Sequence, residues 1–439
     1  METTMTSTPK TSSLMPMLII GSLFFIFGFV TWLNGALIPF LQIVCQLTET
    51  QSLFVAFSFY IAYTVMALPM AAVLERTGYK NGMSIGLGLI ALGCLGFIPA
   101  AMSQTFALFL LAQFVVGTGL TILQTASNPY IVHIGPQESA AARISVMGLL
   151  NKGAGVIAPI VFTALVLGDF SGISAKSVSE MAPAERLAQI EALADGLILP
   201  YLGMAIALSL LALLLRASPL PELAIEEPSL LDAGLGEKQS ILHFPQLVLG
   251  ALTLFCYVGV EVIAGDTIGL FGSKLGVENA TSLTSYTMAF MVLGYLLGLA
   301  LIPRFIRQEQ ALAASAIGGI LLSVAVVTSS PESTWVSSLL WGWLGLPELP
   351  NTVAFVALLG FANALVWPAV WPLALKDLGK FTAKGSALLI MGIAGGAVLP
   401  LMYGVLSDTL SNQQAYWMML PCYGFILYFA LLGHKKRAW

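Results

Sequence analysis

SIGLGLIALGCLGFIPAAM, from Ser84 to Met102, decides the fold: it carries no charge and its apolar residues follow one another without two-residue alternation. About 20 apolar residues is the length at which an α-helix crosses the hydrocarbon core of a bilayer. A strand of a transmembrane barrel would instead alternate apolar and polar positions over about ten residues. The stretch reads as a bilayer-spanning helix, and similar runs recur along all 439 residues. Composition agrees, with 58% hydrophobic and only 9% charged residues, where a soluble domain is about one quarter charged. At a mean hydropathy of +0.90, no soluble fold has interior enough to hide the apolar surface.

Working outward from that helix, the chain divides into six spans on each side of an acidic break. The first six fall near Met15 to Cys45, Gln51 to Leu74, Asn81 to Met102, Phe106 to Val132, Ala140 to Leu167 and Gly196 to Leu215. The second six fall near Phe244 to Gly272, Ser282 to Ile302, Ala311 to Thr328, Thr352 to Leu375, Ser386 to Leu406 and Tyr416 to Gly433. Gly168 to Asp195 reads as a polar loop, and Pro219 to Lys238, with Glu222, Glu226, Glu227, Asp232 and Glu237, as an interdomain linker. The expected organisation is a tail over 1–14, a helical bundle over 15–216, a linker over 217–240, a second bundle over 241–433 and a tail over 434–439. With both termini cytoplasmic, the inner loops collect most Lys and Arg and the outer loops keep Lys176, Arg186 and Lys274. That asymmetry obeys the positive-inside rule and requires an even number of spans, for which twelve fits.

Several function classes drop out. The net charge is −4, and the basic residues are scattered, so there is no footprint for nucleic acid. Cys45, Cys94, Cys256 and Cys422 sit in or beside apolar segments at spacings that match neither a metal site nor a disulfide framework. His133, His243 and His434 lie near helix ends and far apart in sequence, with no nucleophile and base to assemble, so an enzyme is not expected and no cofactor is implied. GIAGGA, Gly392 to Ala397, lacks the Lys-Ser/Thr pair of a phosphate loop and reads as a place of close helix packing.

The halves repeat each other. Gly28 aligns with Gly259, Gly117 with Gly360, Pro129 with Pro372, Arg143 with Lys384, Gly155 with Gly396 and Pro159 with Pro400, at shifts of 231, 243 and 241 residues for the three helix pairs. Two bundles related by an axis along the membrane normal would leave this trace. The expected architecture is all-α, with twelve transmembrane helices in two pseudo-symmetric six-helix bundles.

Charge inside the hydrocarbon is expensive enough to need a function, a partner or both. Lys152 lies well inside the fifth span, and Glu261 and Asp266 lie in the seventh among Gly259, Gly265 and Gly269. Five residues turn an ideal helix through about 140° between those carboxylates, unless the glycines let it unwind. Either carboxylate could bind the driving ion, with Asp266 leading and Glu261 second; the alternative is a structural ion pair with Lys152. A polyol ligand needs side-chain hydrogen bonds and an aromatic face. Gln124 and Asn128 share a face of the fourth span, while Asn363, Trp367 and Trp371 form a stripe in the tenth. The repeat sets Gln124 against Trp367 and Asn128 against Trp371, so amide and aromatic faces would enclose one ligand. Asn34, beside Trp32 in the first span, and Asn151, beside Lys152, are further candidates. Helix packing is the plain alternative for all of these.

AAVLERTGYK, Ala71 to Lys80, resembles the major facilitator signature, with Ala71 for its Gly, Glu75 for its Asp and Tyr79 for a base. A tight turn at Gly78 would let Glu75 and Arg76 pair in one transporter state and part in another. FFIFGFVTWLNGALIPFL (Phe24 to Leu41), QTASNPYI (Gln124 to Ile131), FCYVGVEV (Phe255 to Val262) and LGKFTAKGSALLIMGIAGGAVLPLMYGVLSD (Leu378 to Asp408) together resemble the fucose/galactose/glucose sugar symporters of the major facilitator superfamily. Within that family the chain is most similar to bacterial N-acetylglucosamine permeases and glucose/galactose transporters. The resemblance implies a monomer in the bacterial inner membrane that takes up a monosaccharide with a co-transported cation, proton favoured over sodium. If the cation is sodium, Asp266 and Glu261 would be its ligands, and no other metal site is expected. The sugar stays open among glucose, galactose, fucose and N-acetylglucosamine. An efflux antiporter of the same fold and a non-transporting membrane sensor are the alternatives.

Two departures matter. Fucose/proton symporters of the family carry an Asp after the Asn of the first span and a Glu opening the motif of the fourth, where this chain has Gly35 and Gln124. Gly35 corresponds to Asp266 in the repeat, so the expectation is that the coupling carboxylate has moved across the pseudo-symmetry axis.

Overall fold

The computed structural model describes residues 14–133, 140–167, 177–178, 180–222, 241–302, 304–378 and 381–439. Most of the expected tail over 1–14 and linker over 217–240, Lys176, and the side chains of Asn128 and Lys384 lie outside the described residues.

Eleven helices among the described residues are long and apolar enough to cross a membrane: α1 (Met15–Val44), α3 (Ala67–Ser103), α4 (Phe106–Ser127, continuing to His133), α5 (Arg143–Val166, beginning at Ala140), α6 (Pro183–Ala217), α7 (Pro245–Lys274), α8 (Ala280–Leu301), α9 (Gln308–Thr328), α10 (Asn351–Leu375), α11 (Leu388–Thr409) and α12 (Asn412–Lys435). The twelfth crossing is interrupted. Helix α2, Glu49–Val65, has 17 residues, starts in a capping box at Thr48 and Gln51, and breaks at Met66. It resumes at Ala67, and the 37-residue run of α3 is too long for one crossing. Gly78, at φ 78° and ψ 172°, turns that run, so its first part completes the second crossing and the remainder makes the third. The stretch read as a polar loop before the sixth span contains helix over Pro183–Asp195, because Ile190, Leu193 and Ala194 form a buried stripe.

Packing repeats with the sequence. In the first half α1 lies on α5, α2 on α4, and α3 on α4 and α6; in the second, α7 lies on α11, α8 on α10, and α9 on α10 and α12. The two main contacts between halves, α2 on α11 and α5 on α8, exchange under the same six-helix shift. Gly117 and Gly360 do the same work in each half: without side chains, they bring α4 against the Phe59 carbonyl of α2 and α10 against the Thr287 carbonyl of α8. The most enclosed crossings are α7, α10 and α4, with 72%, 67% and 61% of their apolar windows buried, against 22% for α6. The centre of the molecule is therefore built from the helices that carry the acid, aromatic and amide residues.

A methyl group at Gly360 would overlap the Thr287 carbonyl. Gly360→Ala is expected to lower stability by about 1–3 kcal/mol, whereas Gly88→Ala, where a Cβ would meet nothing within 4 Å, should stay within about 0.5 kcal/mol of the parent. Thermal unfolding in detergent compares the two.

Candidate functional site

The centre of the structure is organised by an ion pair between the halves. Lys152 Nζ of α5 lies 2.7 Å from Glu261 Oε1 of α7, with side-chain exposures of only 11% and 9%. The same oxygen accepts a hydrogen bond from Tyr257 Oη at 2.7 Å, one turn earlier on α7. Lys152 Nζ also stands 4.5 Å from the ring centroid of Trp32 on α1, a cation–π contact that desolvation strengthens. The expected alternative of an ion pair with Lys152 is thus what the structure displays for Glu261.

Asp266 is placed differently. It is fully buried, and neither carboxylate oxygen has a hydrogen-bond partner or a counter-charge among the described residues. Helix α7 is interrupted at Thr267, directly after it. The polar groups around the interruption are otherwise supplied: Thr284 Oγ1 of α8 donates to the Gly265 carbonyl at 2.6 Å, and Thr287 Oγ1 to that of Ala264 at 3.2 Å. Thr267 Oγ1 donates to the Ile263 carbonyl at 2.6 Å and lies 2.8 Å from Tyr416 Oη. The break is local: Thr267 keeps a right-handed helical backbone and its N–H still bonds to the Ile263 carbonyl at 3.1 Å, so the helix is kinked rather than unwound. Gly35 of α1 packs directly against the Thr284 side chain, so a Cβ at position 35 would overlap that hydroxyl.

The amide and aromatic candidates gather around the same centre with uneven engagement. Gln124 Nε2 donates to Tyr63 Oη at 3.2 Å. Asn363 accepts from Tyr423 Oη at 2.8 Å through Oδ1 while its Nδ2 is buried without a partner. Asn34 accepts from Gln113 Nε2 and likewise has a bare Nδ2. Asn151 Nδ2 reaches only the Phe24 carbonyl, at 3.5 Å, and reads as a helix-packing residue. Trp367 and Trp371 have ring centroids 5.5 Å apart, and Trp367 lies 6.2 Å from Tyr257. Their stripe with Asn363 is bent, because α10 is interrupted at Ala364 and Leu365. The indole nitrogens of Trp32 and Trp371, and Tyr60 Oη of α2, are also buried and unpaired. Buried polar atoms such as these are the groups that a polar ligand or an ordered water would satisfy.

Tyr60, Tyr63, Tyr257 and Tyr423 were not among the sequence candidates. Tyr257 had a signal, since it lies one helical turn before Glu261 and so shares its face; Tyr63 and Tyr423 have partners remote in sequence, and the Tyr60 hydroxyl has none among the described residues.

Glu75 and Arg76 form no ion pair with each other, and both are exposed. The turn at Gly78 is held instead by Glu222, whose Oε1 accepts from the Lys80 backbone N–H at 3.3 Å, and by Lys80 Nζ donating to the Ser218 carbonyl at 2.6 Å. On the face opposite the termini, buried Glu49 at the start of α2 meets Lys274 Nζ at the end of α7 at 2.5 Å, and accepts from Ser407 Oγ at 2.6 Å and from Asn412 Nδ2. Thr50 adds Oγ1 and backbone N–H donors to Asp408 at 2.5 and 3.2 Å. These bonds tie the first half to the second and close the centre from that face.

Comparison with known proteins agrees with this architecture. The model of the Major Facilitator Superfamily matches residues 20–399. A Brucella abortus protein named glucose/galactose transporter is 35% identical over 420 residues, covering 94% of this chain and 93% of that one. The L-fucose-proton symporter of Escherichia coli is 28% identical over 438 residues, covering 95% and 93%. Among solved structures, FucP in the outward conformation superposes with a TM-score of 0.70 at 25% identity, covering 97% of this chain and all of that one. The inward open xylose transporter XylE of E. coli gives 0.68 at 15% identity, covering 96% of each.

Removing one member of a buried ion pair strands the other charge, whereas replacing both removes the problem. Lys152→Ala is expected to destabilise by about 3–5 kcal/mol, and the double variant K152M/E261M to recover most of that loss; detergent unfolding of the three proteins reads the difference.

Proposed function

The chain belongs to the major facilitator superfamily and is a multi-pass membrane transporter rather than an enzyme, and from this premise we propose that it is a monosaccharide–cation symporter in which Asp266 carries the driving ion. The observation that bears most on this reading is the isolation of Asp266: a buried carboxyl at an interrupted helix, next to an acid already neutralised by Lys152. A group that must take up and release an ion during each cycle cannot be locked into a permanent pair. Bare oxygens in an enclosed site meet that condition, and Glu261, held by Lys152 and Tyr257, does not.

The sugar reading is supported by the names of the relatives, two glucose/galactose-type and fucose-type transporters aligned over nearly their whole length, and by the central chemistry. Gln124 and Asn363 offer amide groups and Trp367 and Trp371 offer ring faces on the enclosed helices α4 and α10, and Asn34 adds an amide from α1. A glucose- or galactose-type hexose is favoured by the higher identity to the transporter so named, with N-acetylglucosamine as the alternative sugar. Asn128 belongs to the proposed site by its register on α4. A proton is favoured over sodium because it satisfies a carboxylate with one bond and because the relative named L-fucose-proton symporter aligns over 95% of this chain. The position of Gly35, filled by Thr284 and adjacent to the segment bearing Asp266, supports a coupling acid that has moved across the pseudo-symmetry axis.

Transport follows from rocking of the halves about this centre. The termini are assigned to the cytoplasm from the distribution of Lys and Arg, which makes the Glu49 cluster an outer latch and the state seen here closed to the outside. Glu75, Arg76 and Gly78 form the corresponding inner turn, with Glu75 and Arg76 apart in this state.

The test is uptake of radiolabelled glucose, galactose, fucose and N-acetylglucosamine into proteoliposomes under separate inward proton and sodium gradients. The expected outcome is accumulation of one hexose under the proton gradient by the parent protein, and equilibration without accumulation by D266N, which should still exchange sugar. Full accumulation by D266N would exclude Asp266, and export driven by the opposite gradient would make the protein an antiporter.

A further inference from the structure

A cavity lined by two arginines and a largely apolar wall lies away from the centre, on the face that carries the termini. It measures about 440 Å³ and opens where the turn after α2 meets the end of α6, lined by Arg76 and Arg216 with Asn81 and Ser84 between apolar residues that include Ile85 and Leu213. Arg216 stands in the last turn of α6, and Arg76 near the end of the second crossing. Both guanidinium groups are thus at the depth of lipid headgroups, where long basic side chains reach out of the hydrocarbon. Ile85 and Leu213, 37% and 64% exposed on membrane-crossing helices, turn an apolar wall toward the acyl chains.

The two arginines have no carboxylate within ion-pair distance among the described residues. Glu222, which lies against the Gly78 turn, accepts from the Lys80 backbone N–H, and Lys80 Nζ donates to the Ser218 carbonyl. Ser84 Oγ donates to the Ala212 carbonyl at 3.1 Å, tying α3 to α6 along the wall of the cavity. Two planar donor forks, a braced frame and an apolar side wall therefore converge on one volume. Guanidinium forks match phosphate oxygens in pairs, and basic pockets between membrane helices suit lipid headgroups.

We propose that this cavity binds an anionic phospholipid, its phosphate held between Arg76 and Arg216 and one acyl chain lying along Ile85 and Leu213. The occupant links the Gly78 turn to the end of α6. A soluble phosphate would engage the arginines but leave the apolar wall unused, so the lipid is favoured over the free anion. This assignment is independent of what the central site carries.

The test is native mass spectrometry of the delipidated full-length protein titrated separately with phosphatidylglycerol, phosphatidylcholine and inorganic phosphate. Phosphatidylglycerol is expected to bind in preference to both other probes. Loss of one arginine should weaken it about fivefold, and R76Q/R216Q about thirtyfold, from the usual contribution of a basic residue at an anionic surface. R304Q/R307Q, which removes two arginines from the same face outside the cavity, should leave binding unchanged. Ala212→Trp fills the cavity with both arginines intact and should also lose the lipid, which keeps the test decisive if R76Q/R216Q fails to fold. Equal retention by R76Q/R216Q or by Ala212→Trp, equal loss in R304Q/R307Q, or phosphate binding as tight as the lipid would each overturn the proposal. So would weak binding by the parent protein that rises in E226Q/E227Q, because the acidic linker would then be the arginines' partner.

Discussion

Placing three charges at the centre of a hydrocarbon-embedded bundle is the constraint from which the rest of this structure follows. Each isolated charge at that depth costs several kcal/mol. Two of them cancel: Lys152 of the first half and Glu261 of the second meet at 2.7 Å, with Tyr257 and the Trp32 ring completing the shell. That pair is not a large source of stability, since desolvation offsets most of its Coulomb gain. Its consequence is registration. The pair adds a fixed point to the inter-half contacts of α2 on α11 and α5 on α8, linking α5 to α7 with Trp32 of α1 beside it.

The third charge has no such solution, and the surroundings show that this is not a general shortage of hydrogen bonds. Thr284, Thr287, Thr267 and Tyr416 supply hydroxyl groups around the interruption in α7, yet none of them is bonded to Asp266. A single hydroxyl turned toward the carboxylate would hold it more firmly at a net gain of about 1 kcal/mol. Without such a bond the carboxyl has no permanent partner among the described residues, which is the condition the proposed ion exchange requires. The latch at Glu49 is the opposite case. There a buried carboxylate is bound from α7, α11 and α12 at once, an arrangement suited to holding one face shut.

The helical architecture was legible because apolar runs near 20 residues admit one solution in a bilayer, and the repeat because Gly117 and Gly360 sit where each half needs the same close approach. The second crossing was harder to delimit: its break at Met66 and the turn at Gly78 interrupt the helix without interrupting the apolar pattern. The intramembrane acids stood out by cost alone, but their different fates did not, since pairing depends on which side chain the other half presents. Glu49 fell outside the expected second span and was not a candidate; its burial comes from Lys274, Ser407 and Asn412 of the second half. The Asn363, Trp367 and Trp371 stripe assumed a continuous helix, whereas α10 is interrupted at Ala364 and Leu365 and Asn363 bonds to Tyr423 of α12. Periodicity describes one helix at a time, whereas this site is assembled from two halves.

The central claim, that Asp266 exchanges the driving ion as sugar binds, is tested most directly by proton release or uptake when the transported sugar is added to purified protein in weakly buffered detergent. The account predicts a sugar-dependent proton signal in the parent protein that is insensitive to sodium and absent from D266N, while D266N still binds sugar. A signal of undiminished size in D266N would contradict it.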